Sequence, residues 1–245
     1  SSAGTPVVGC KCETCLSTNP RNTRTRCSSL ITLENGKNIL IDTSPDLREQ
    51  SLRESITKVD AVLFTHAHAD HCHGIDDLRA FCQINKIQIP LYGNKDVIEQ
   101  LINKFKYAMI EPKNFWELPV LKPNVIDGPF EIFDETITPI PVMHGNNNIN
   151  GYRVGNLGYI TDTSEISENS MKLLEGIDVL LLDCLRMEPH FTHLSFPESI
   201  EIAKKINSRE TYLIHMTHNL EYESLKKMLP EGIYVGYDGL KLQIN

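Results

Sequence analysis

A cluster of histidines with one aspartate follows directly on a continuous apolar run, and this junction constrains the fold more than any other stretch. The run, residues 59–65, has the length and composition of a buried strand. The next residues are His66-Ala67-His68-Ala69-Asp70-His71. His66 and His68 are two apart, so on an extended chain they point the same way and can bind one cation together. Asp70 and His71 project to another side where the chain turns into a helix, so this loop predicts two metal positions rather than solvated histidines.

Three later residues end apolar runs and are further candidate ligands. His144 follows residues 137–142, Asp162 follows residues 159–161, and His215 follows residues 212–214. Taken singly, each has a plain structural alternative, namely a satisfied core histidine or an aspartate that caps the next helix. Polar residues at the carboxyl ends of buried strands are where sites collect in α/β folds, so we expect these three to complete the set.

The rest of the chain alternates apolar runs of strand length with amphipathic helical patterns. Asn35-Gly36 predicts a hairpin between residues 28–33 and 38–42, and Asp238-Gly239 predicts a closing hairpin between residues 233–236 and 240–244. The sequence shows no internal repeat and no Pro/Gly-rich linker, which predicts a single domain over residues 1–245. Because no apolar run approaches the roughly 18 residues that span a bilayer, we expect no membrane partner.

Three cysteines stand close together near the start, as Cys10-Lys11-Cys12-Glu13-Thr14-Cys15. The total of 7 cysteines is odd and no secretion signal precedes them, which favours a cytoplasmic chain with reduced thiols over a disulfide framework. Three thiolates need a fourth ligand, and His218, just past the strand that ends at His215, is the natural one. We therefore expect a closed Cys₃His structural zinc site in the loop segment 1–27, with free surface thiols as the alternative.

The histidine motif after an apolar strand, with a later His, Asp and His each ending a strand, resembles the metallo-β-lactamase superfamily. The resemblance implies an α/β fold built as an αββα four-layer sandwich with two catalytic divalent metal ions. It implies that one ion is held by His66, His68 and His144, and the other by Asp70, His71 and His215. Asp162 would bridge both ions, and a bridging hydroxide would be the nucleophile.

A narrower resemblance is to the PhnP-type phosphodiesterases, which hydrolyse cyclic ribose phosphates. It is carried by the opening from Gly4 to Cys15, by the pair His215 and His218, and by Tyr237-Asp238-Gly239-Leu240. In that family, three such cysteines and the second histidine of the pair bind a structural zinc. The family usually starts with a short strand before the Gly-Thr segment, so we expect that strand to be missing here. The relatives also imply a homodimer.

Cleavage of a phosphodiester requires a general acid that protonates the leaving alkoxide. The resemblance gives this role to His193, with His190 as the local competitor, and Asp70 is expected to be catalytic as well as a ligand. Asp183 ends the apolar run 179–182 and is open between capping the next segment and orienting a metal-bound histidine. The basic residues Arg21, Arg24 and Arg26 are expected to form a solvated loop face, with a phosphate grip as the alternative.

The expected function is therefore hydrolysis of a small, cyclic sugar or nucleotide phosphodiester with Zn²⁺ or Mn²⁺ as catalytic ions. The net charge of −8 disfavours nucleic acid as a partner. It counts against a tRNA 3′-processing-type nuclease, as does the short stretch between Asp162 and His215, which leaves no room for a tRNA-binding arm. The residues also leave open a PqqB-like non-hydrolytic biosynthetic factor, a thioester or lactone hydrolase, and a non-catalytic metal-holding module. Substrate specificity is expected in loops such as residues 108–128.

Overall fold

The computed structural model describes residues 1–109 and 120–244, so residues 110–119 of the loop expected to set specificity lie outside the described residues. The chain divides into two compact units. The middle unit is Arg26–Gly128, and the terminal unit combines Ser1–Thr25 with Pro129–Asn245. The single domain expected over residues 1–245 stays a prediction. Within the described ranges, no helix has both the length and the apolar composition needed to cross a membrane.

The middle unit contains a sheet with strand order β1-β2-β3-β4-β5. These strands are β1 (Ser29–Thr32), β2 (Asn38–Ile41), β3 (Ala61–Leu63), β4 (Ile89–Gly93) and β5 (Leu121–Val125). Strands β1 and β2 pair antiparallel, which confirms the hairpin predicted at Asn35-Gly36, and Gly36 has the positive φ of 76° that such a turn favours. The remaining pairs are parallel, so β2 and β3 end at the same edge of the sheet.

Helices of the middle unit follow its strands along the chain. They are α1 (Leu47–Arg53), α2 (Ala69–Cys72), α3 (Leu78–Asn85), α4 (Lys95–Lys104) and α5 (Lys106–Met109). The short α2 comes directly after β3 and carries the second half of the histidine motif. Its end lies close to the loop after β2, because a Cβ added to Gly74 would lie 1.9 Å from the Ser44 carbonyl oxygen. Only glycine permits this approach, which holds α2 beside the end of β2.

The terminal unit contains the second sheet, with strand order β12-β11-β10-β9-β8-β7-β6. Its strands are β6 (Phe130–Ile132), β7 (Glu135–His144), β8 (Asn147–Val154), β9 (Leu157–Ile160), β10 (Val179–Asp183), β11 (Glu210–Ile214) and β12 (Ile233–Val235). Pairing is antiparallel from β6 to β9 and parallel from β9 to β12. The helices are α6 (Glu168–Leu173), α7 (Phe196–Ile206) and α8 (Tyr222–Met228).

The parallel register of the terminal unit gathers strand ends at one edge. Asp183 pairs with Ile214, and Leu182 pairs with Ile160. The residues that follow these positions, Asp162 and His215, therefore emerge beside Asp183 although they are far apart in sequence. Strand β10 is buried along most of its length, and α7 packs its apolar residues into the same core, so this edge is rigidly placed.

The closing hairpin predicted around Asp238-Gly239 is wrong. Strand β12 pairs with β11 in parallel, and residues 240–244 form no strand. The turn has another role, because the Asp238 carboxylate accepts hydrogen bonds from the backbone N–H of Thr25 at 3.0 Å and from its hydroxyl at 2.5 Å. An Asp-Gly turn is a local signal, whereas this contact spans almost the whole chain.

Candidate functional site

In the middle unit, the buried carboxylate of Asp42 anchors the histidine motif. Its oxygens accept from the Thr65 backbone N–H at 2.8 Å and from the Thr65 hydroxyl at 2.7 Å. The Nδ1 atom of His71 lies 2.7 Å from the same carboxylate, and Nδ1 of His66 lies 3.0 Å from the Thr65 hydroxyl oxygen. Because Nδ1 of each ring faces this network, Nε2 is the nitrogen turned away from it and presented as a ligand atom.

The four motif residues lie close together. The rings of His66 and His68 have centroids 4.5 Å apart, and those of His66 and His71 are 4.3 Å apart. A carboxylate oxygen of Asp70 lies 3.3 Å from Nε2 of His71. His68 is exposed, whereas the other three are buried. The four side chains therefore lie together, as the spacing of the motif predicts.

In the terminal unit, Asp183 holds two histidines at once. Its two oxygens lie 3.3 Å from Nδ1 of His193 and 3.4 Å from Nδ1 of His215. The two rings stack with an interplanar angle of 12° and centroids 5.0 Å apart. Burial by itself would raise the pKa of Asp183, but hydrogen bonds from the two histidines hold its pKa below the ordinary value. An ionised Asp183 can therefore accept from both rings and fix their orientation.

The opposite nitrogens of these two rings face Asp162. Nε2 of His215 lies 3.4 Å from one carboxylate oxygen of Asp162, and Nε2 of His193 lies 3.9 Å from the other. The ligand atoms of Asp162, Asp183, His193 and His215 all lie within 4.8 Å of one another. The carboxylate of Asp183 therefore lies on the Nδ1 side of both imidazoles, and the carboxylate of Asp162 lies on their Nε2 side.

His144, the last residue of β7, also has its Nδ1 atom engaged by a neighbouring group. Its Nδ1 lies 2.8 Å from the Thr192 carbonyl oxygen, which can only accept a hydrogen bond, so Nδ1 carries the proton and Nε2 is presented. Its ring centroid lies 4.9 Å from that of His193. Occupied Nδ1 atoms with presented Nε2 atoms are the usual arrangement of metal-binding histidines, so these His and Asp residues fit divalent cations.

Three residues of these groups have left-handed backbone conformations. Asp42, Asp162 and His215 have φ values of 59°, 53° and 60°. This region is uncommon for residues other than glycine and is retained where surrounding contacts fix the residue, often at functional sites. Asp42 and His215 each follow a strand directly, so the chain turns at these residues.

The cysteine segment and His218 form a compact group in the terminal unit. The Sγ atoms of Cys10, Cys12 and Cys15 lie 3.3, 3.3 and 3.4 Å from Nδ1 of His218. A tetrahedral zinc ion with bonds of about 2.3 Å to sulfur and about 2.0 Å to nitrogen places these atoms about 3.5 Å apart. The residues therefore fit zinc, as the sequence predicts.

Several known proteins are similar to this chain. The family model described as "Beta-lactamase superfamily domain" matches residues 37–216. The chain belongs to the β-lactamase superfamily. A solved structure of a diphosphatase from the PhnP family is 40% identical, with a TM-score of 0.93 and coverage of 100% of this chain and 94% of the other. The chain therefore belongs to the PhnP family within the superfamily. The α/β fold that the resemblance to the superfamily implied is confirmed.

Two other relatives of this PhnP-family chain differ in what they support. Zn²⁺-bound PqqB from Methylobacterium extorquens is 19% identical, with a TM-score of 0.80 over 99% of this chain and 96% of that one, which shows the shared fold alone. An octanoyltransferase of Porphyromonas gingivalis (strain ATCC BAA-308 / W83) is 36% identical over 250 residues, covering 100% of this chain and 50% of the relative. The chain thus spans about half the length of that protein.

Sequence reasoning on this PhnP-family chain missed Asp42 and left Asp183 open. Asp183 binds two histidines and also accepts from the Leu194 backbone N–H at 3.1 Å, so it orients histidines as well as capping the following segment. Asp42 ends an apolar strand just as Asp183 does, and that shared pattern is the signal that could have found it. The catalytic and ligand roles assigned from the sequence stay predictions.

Arg21, Arg24 and Arg26 do not form one surface. Arg24 is buried, and its guanidinium donates to the carbonyl oxygens of Thr217 at 3.0 Å and Leu220 at 2.6 Å. Arg21 lies over the ring of Tyr237 at 3.3 Å, and Arg26 pairs with Asp46. The expectation of a solvated face is therefore wrong for Arg24, which ties the cysteine segment to the loop that carries His218.

Replacing Arg24 with alanine should lower the free energy of unfolding by about 2 kcal/mol, because the Leu220 carbonyl oxygen and the partly buried Thr217 carbonyl oxygen lose their donor. Urea denaturation measures the change, and Arg209→Ala, an exposed arginine of the same unit, is the matched control that should change little. Equal stability of the two variants would contradict the role given to Arg24.

Replacing Asp183 with asparagine should weaken metal binding or turnover by about 10–100-fold, because the amide cannot accept from both imidazoles. Competition with a metal chelator measures the affinity independently of activity. Asp178→Asn is the control, since Asp178 precedes the opposite end of β10 and contacts Asn156 and Arg209 instead. An affinity and rate that match those of the control would exclude the positioning role.

Proposed function

We propose that this chain is a metal-dependent phosphodiesterase that hydrolyses a small, cyclic sugar or nucleotide phosphodiester. The observation that carries the proposal is the placement of His193, a buried histidine with Nδ1 on Asp183 and Nε2 3.9 Å from Asp162. Such a histidine is held in one tautomer and aims its other nitrogen into a group of metal-binding residues. That is the position a general acid needs for a leaving oxygen.

The metals would supply Lewis-acid chemistry and an activated water when bound. We propose that His66, His68, Asp70, His71, His144, Asp162 and His215 hold the two catalytic ions, Zn²⁺ or Mn²⁺. The presented Nε2 atoms and mixed oxygen and nitrogen donors support either metal. That residues of both units share one dinuclear centre stays a prediction from the resemblance.

The chain's own residues have three tasks in this reaction. His193 donates a proton from Nε2 to the leaving alkoxide. Asp183 keeps the proton on Nδ1 and stabilises the imidazolium form, as a carboxylate behind a catalytic histidine does. Cys10, Cys12, Cys15 and His218 would bind a structural zinc that holds the N-terminal segment on the loop carrying His215.

The PhnP-family relative is described as a diphosphatase. Hydrolysis of a phosphoanhydride and of a phosphodiester both displace an oxygen at phosphorus and both need the leaving oxygen stabilised, so the relative supports chemistry at phosphorus. The net charge of −8 supports a small anion over a long polyanion. We propose the small phosphodiester as the partner, a homodimer as the assembly and the cytoplasm as the location.

Acyl transfer is the competing chemistry because one relative is an octanoyltransferase. That activity belongs to a protein twice as long as the matched part. The same metal-binding residues can also act on a carbonyl, so a thioester must be tested beside the diester.

The test loads the purified protein with Zn²⁺ or Mn²⁺ and compares four substrates. These are bis(4-nitrophenyl) phosphate, 4-nitrophenyl phosphate, an octanoyl thioester and a lactone. We expect turnover of the diester at least about 100-fold above the monoester, the thioester and the lactone, a contrast of about 3 kcal/mol in transition-state free energy. Thioester turnover without diester turnover would overturn the proposal. Asp162→Ala should lose the activity in either case, which excludes a contaminating enzyme.

A further inference from the structure

An exposed aromatic side chain lies in the loop that leads to His193 in the terminal unit. Phe191 is 71% exposed, and it stands two residues before His193 in the chain. The next residue, Thr192, provides the carbonyl oxygen that lies 2.8 Å from Nδ1 of His144. Phe191 therefore belongs to the short loop that carries His193 and contacts His144, yet the proposed reaction gives it no role.

The loop around Phe191 is braced rather than loose. The guanidinium of Arg186 donates to the carbonyl oxygens of Glu188 at 3.3 Å and Pro189 at 2.9 Å. The backbone N–H of Thr192 donates to Nδ1 of His190 at 3.3 Å. Internal hydrogen bonds thus fix the loop on both sides of Phe191.

The ring of Phe191 also packs against Gly145, the residue that follows His144. A Cβ added to Gly145 would lie 2.9 Å from Cε1 of Phe191 and 2.9 Å from Cγ2 of Thr192, and Gly145 has a φ of 61°. Glycine is needed here for the backbone conformation and for the close approach of the ring. One edge of the Phe191 ring is therefore packed, while most of the ring remains open to solvent.

Single exposed apolar side chains are normal on protein surfaces and carry no meaning by exposure alone. Phe191 differs because hydrogen bonds fix its loop, its ring packs against Gly145, and the loop contacts His144 and carries His193. A rigid aromatic ring loses little entropy when a second ring stacks on it. Stacking of this kind accepts any planar base, because each base has a π-face.

We propose that Phe191 is a stacking platform for a planar ring in the organic part of the substrate, such as a nucleobase. The inference rests on the proposed function, since it assigns the substrate class of the same site. It predicts a preference for nucleoside phosphodiesters over the corresponding sugar phosphodiesters.

The kinetic test compares two substrates with the same reacting group, adenosine 2′,3′-cyclic phosphate and 1-O-methylribose 2′,3′-cyclic phosphate. Phe191→Ala should lower kcat/KM about tenfold on the adenosine substrate, mainly through KM, and change the methylribose substrate by less than about twofold. Phe191→Tyr should retain the preference because it keeps the ring. Tyr234→Ala, which removes another exposed aromatic of the same unit, should alter neither substrate.

A binding test separates this inference from the proposed function. Calorimetry on the metal-loaded protein should show AMP binding more tightly than ribose 5-phosphate, and Phe191→Ala should abolish the difference. If the unmodified protein hydrolyses neither diester, the proposed function fails, while a ring-dependent AMP preference would still support the platform. Equal effects of Phe191→Ala on the two members of each pair, or no effect on either, would overturn it.

Discussion

Replacing Cys12 with alanine is expected to release one metal ion per chain and to lower the free energy of unfolding by ~5 kcal/mol. The four ligand atoms converge to distances that suit tetrahedral zinc, so removing one thiolate opens the site. In small zinc domains the metal contributes roughly 10–16 kcal/mol of folding free energy, and part of that suffices to destabilise a protein with its own core. Elemental analysis and urea denaturation measure the two effects.

A matched control for Cys12→Ala is Cys27→Ala, which changes a half-buried cysteine outside the ligand group. We expect Cys27→Ala to keep the full metal content. Unchanged metal content in Cys12→Ala would show that the cysteines bind no ion. Loss of all metal rather than one ion would show that the cysteine site and the catalytic residues are not independent. Loss of all metal has a structural explanation, because His215 and His218 lie on one loop, to which Arg24 donates hydrogen bonds.

Replacing His193 with alanine is expected to lower kcat about 10²–10⁴-fold on a diester with a poor leaving group, such as an alkyl diester. The reason is that an alkoxide must be protonated as it departs. A diester that releases 4-nitrophenolate needs no such proton, so its rate should fall far less. The measurement is the dependence of log kcat on the pKa of the leaving alcohol, which should steepen in the variant.

The control for His193→Ala is His190→Ala, the neighbouring histidine on the same loop. Burial lowers the pKa of His190, and charge on the nearby His193 and Arg186 lowers it further. Both effects disfavour the protonated form that an acid requires. We expect His190→Ala to leave the leaving-group dependence unchanged. If His193→Ala loses the same factor on every leaving group, His193 acts by positioning, and the proton comes from elsewhere. Metal content should stay constant in both variants, which excludes loss of a ligand as the cause.

Much of the fold follows from local signals. The apolar runs that become β3, β10 and β11 are long enough to be buried strands, and α7, which follows β10, has the apolar spacing of an amphipathic helix. The hairpin at Asn35-Gly36 was predictable because its turn chemistry is local. The hairpin predicted at Asp238-Gly239 does not form: β12 pairs in parallel with β11, and Asp238 accepts a hydrogen bond from Thr25, a contact that no local rule contains.

The candidate metal ligands were predictable from the sequence for a related reason. The spacing of His66, His68, Asp70 and His71, and that of the three cysteines, is dictated by the reach of a few residues of chain. Convergence of Asp162 and His215 on Asp183 required the parallel register of β9, β10 and β11, which the sequence indicates only as a class of fold.

By itself, the sequence determined which side chains of this protein are of a type that can bind metal and at which strand ends they stand. Only the tertiary structure decided which nitrogen each histidine presents, because Asp42, Asp183 and the Thr192 carbonyl oxygen occupy the Nδ1 atoms. It also decided that Arg24 is buried and donates to the Leu220 carbonyl oxygen, and that Phe191 is an exposed residue whose ring packs against Gly145. Ligand type is a property of a residue and its neighbours in the chain. Orientation and burial depend on contacts made across the sheet, and those exist only once the chain has folded.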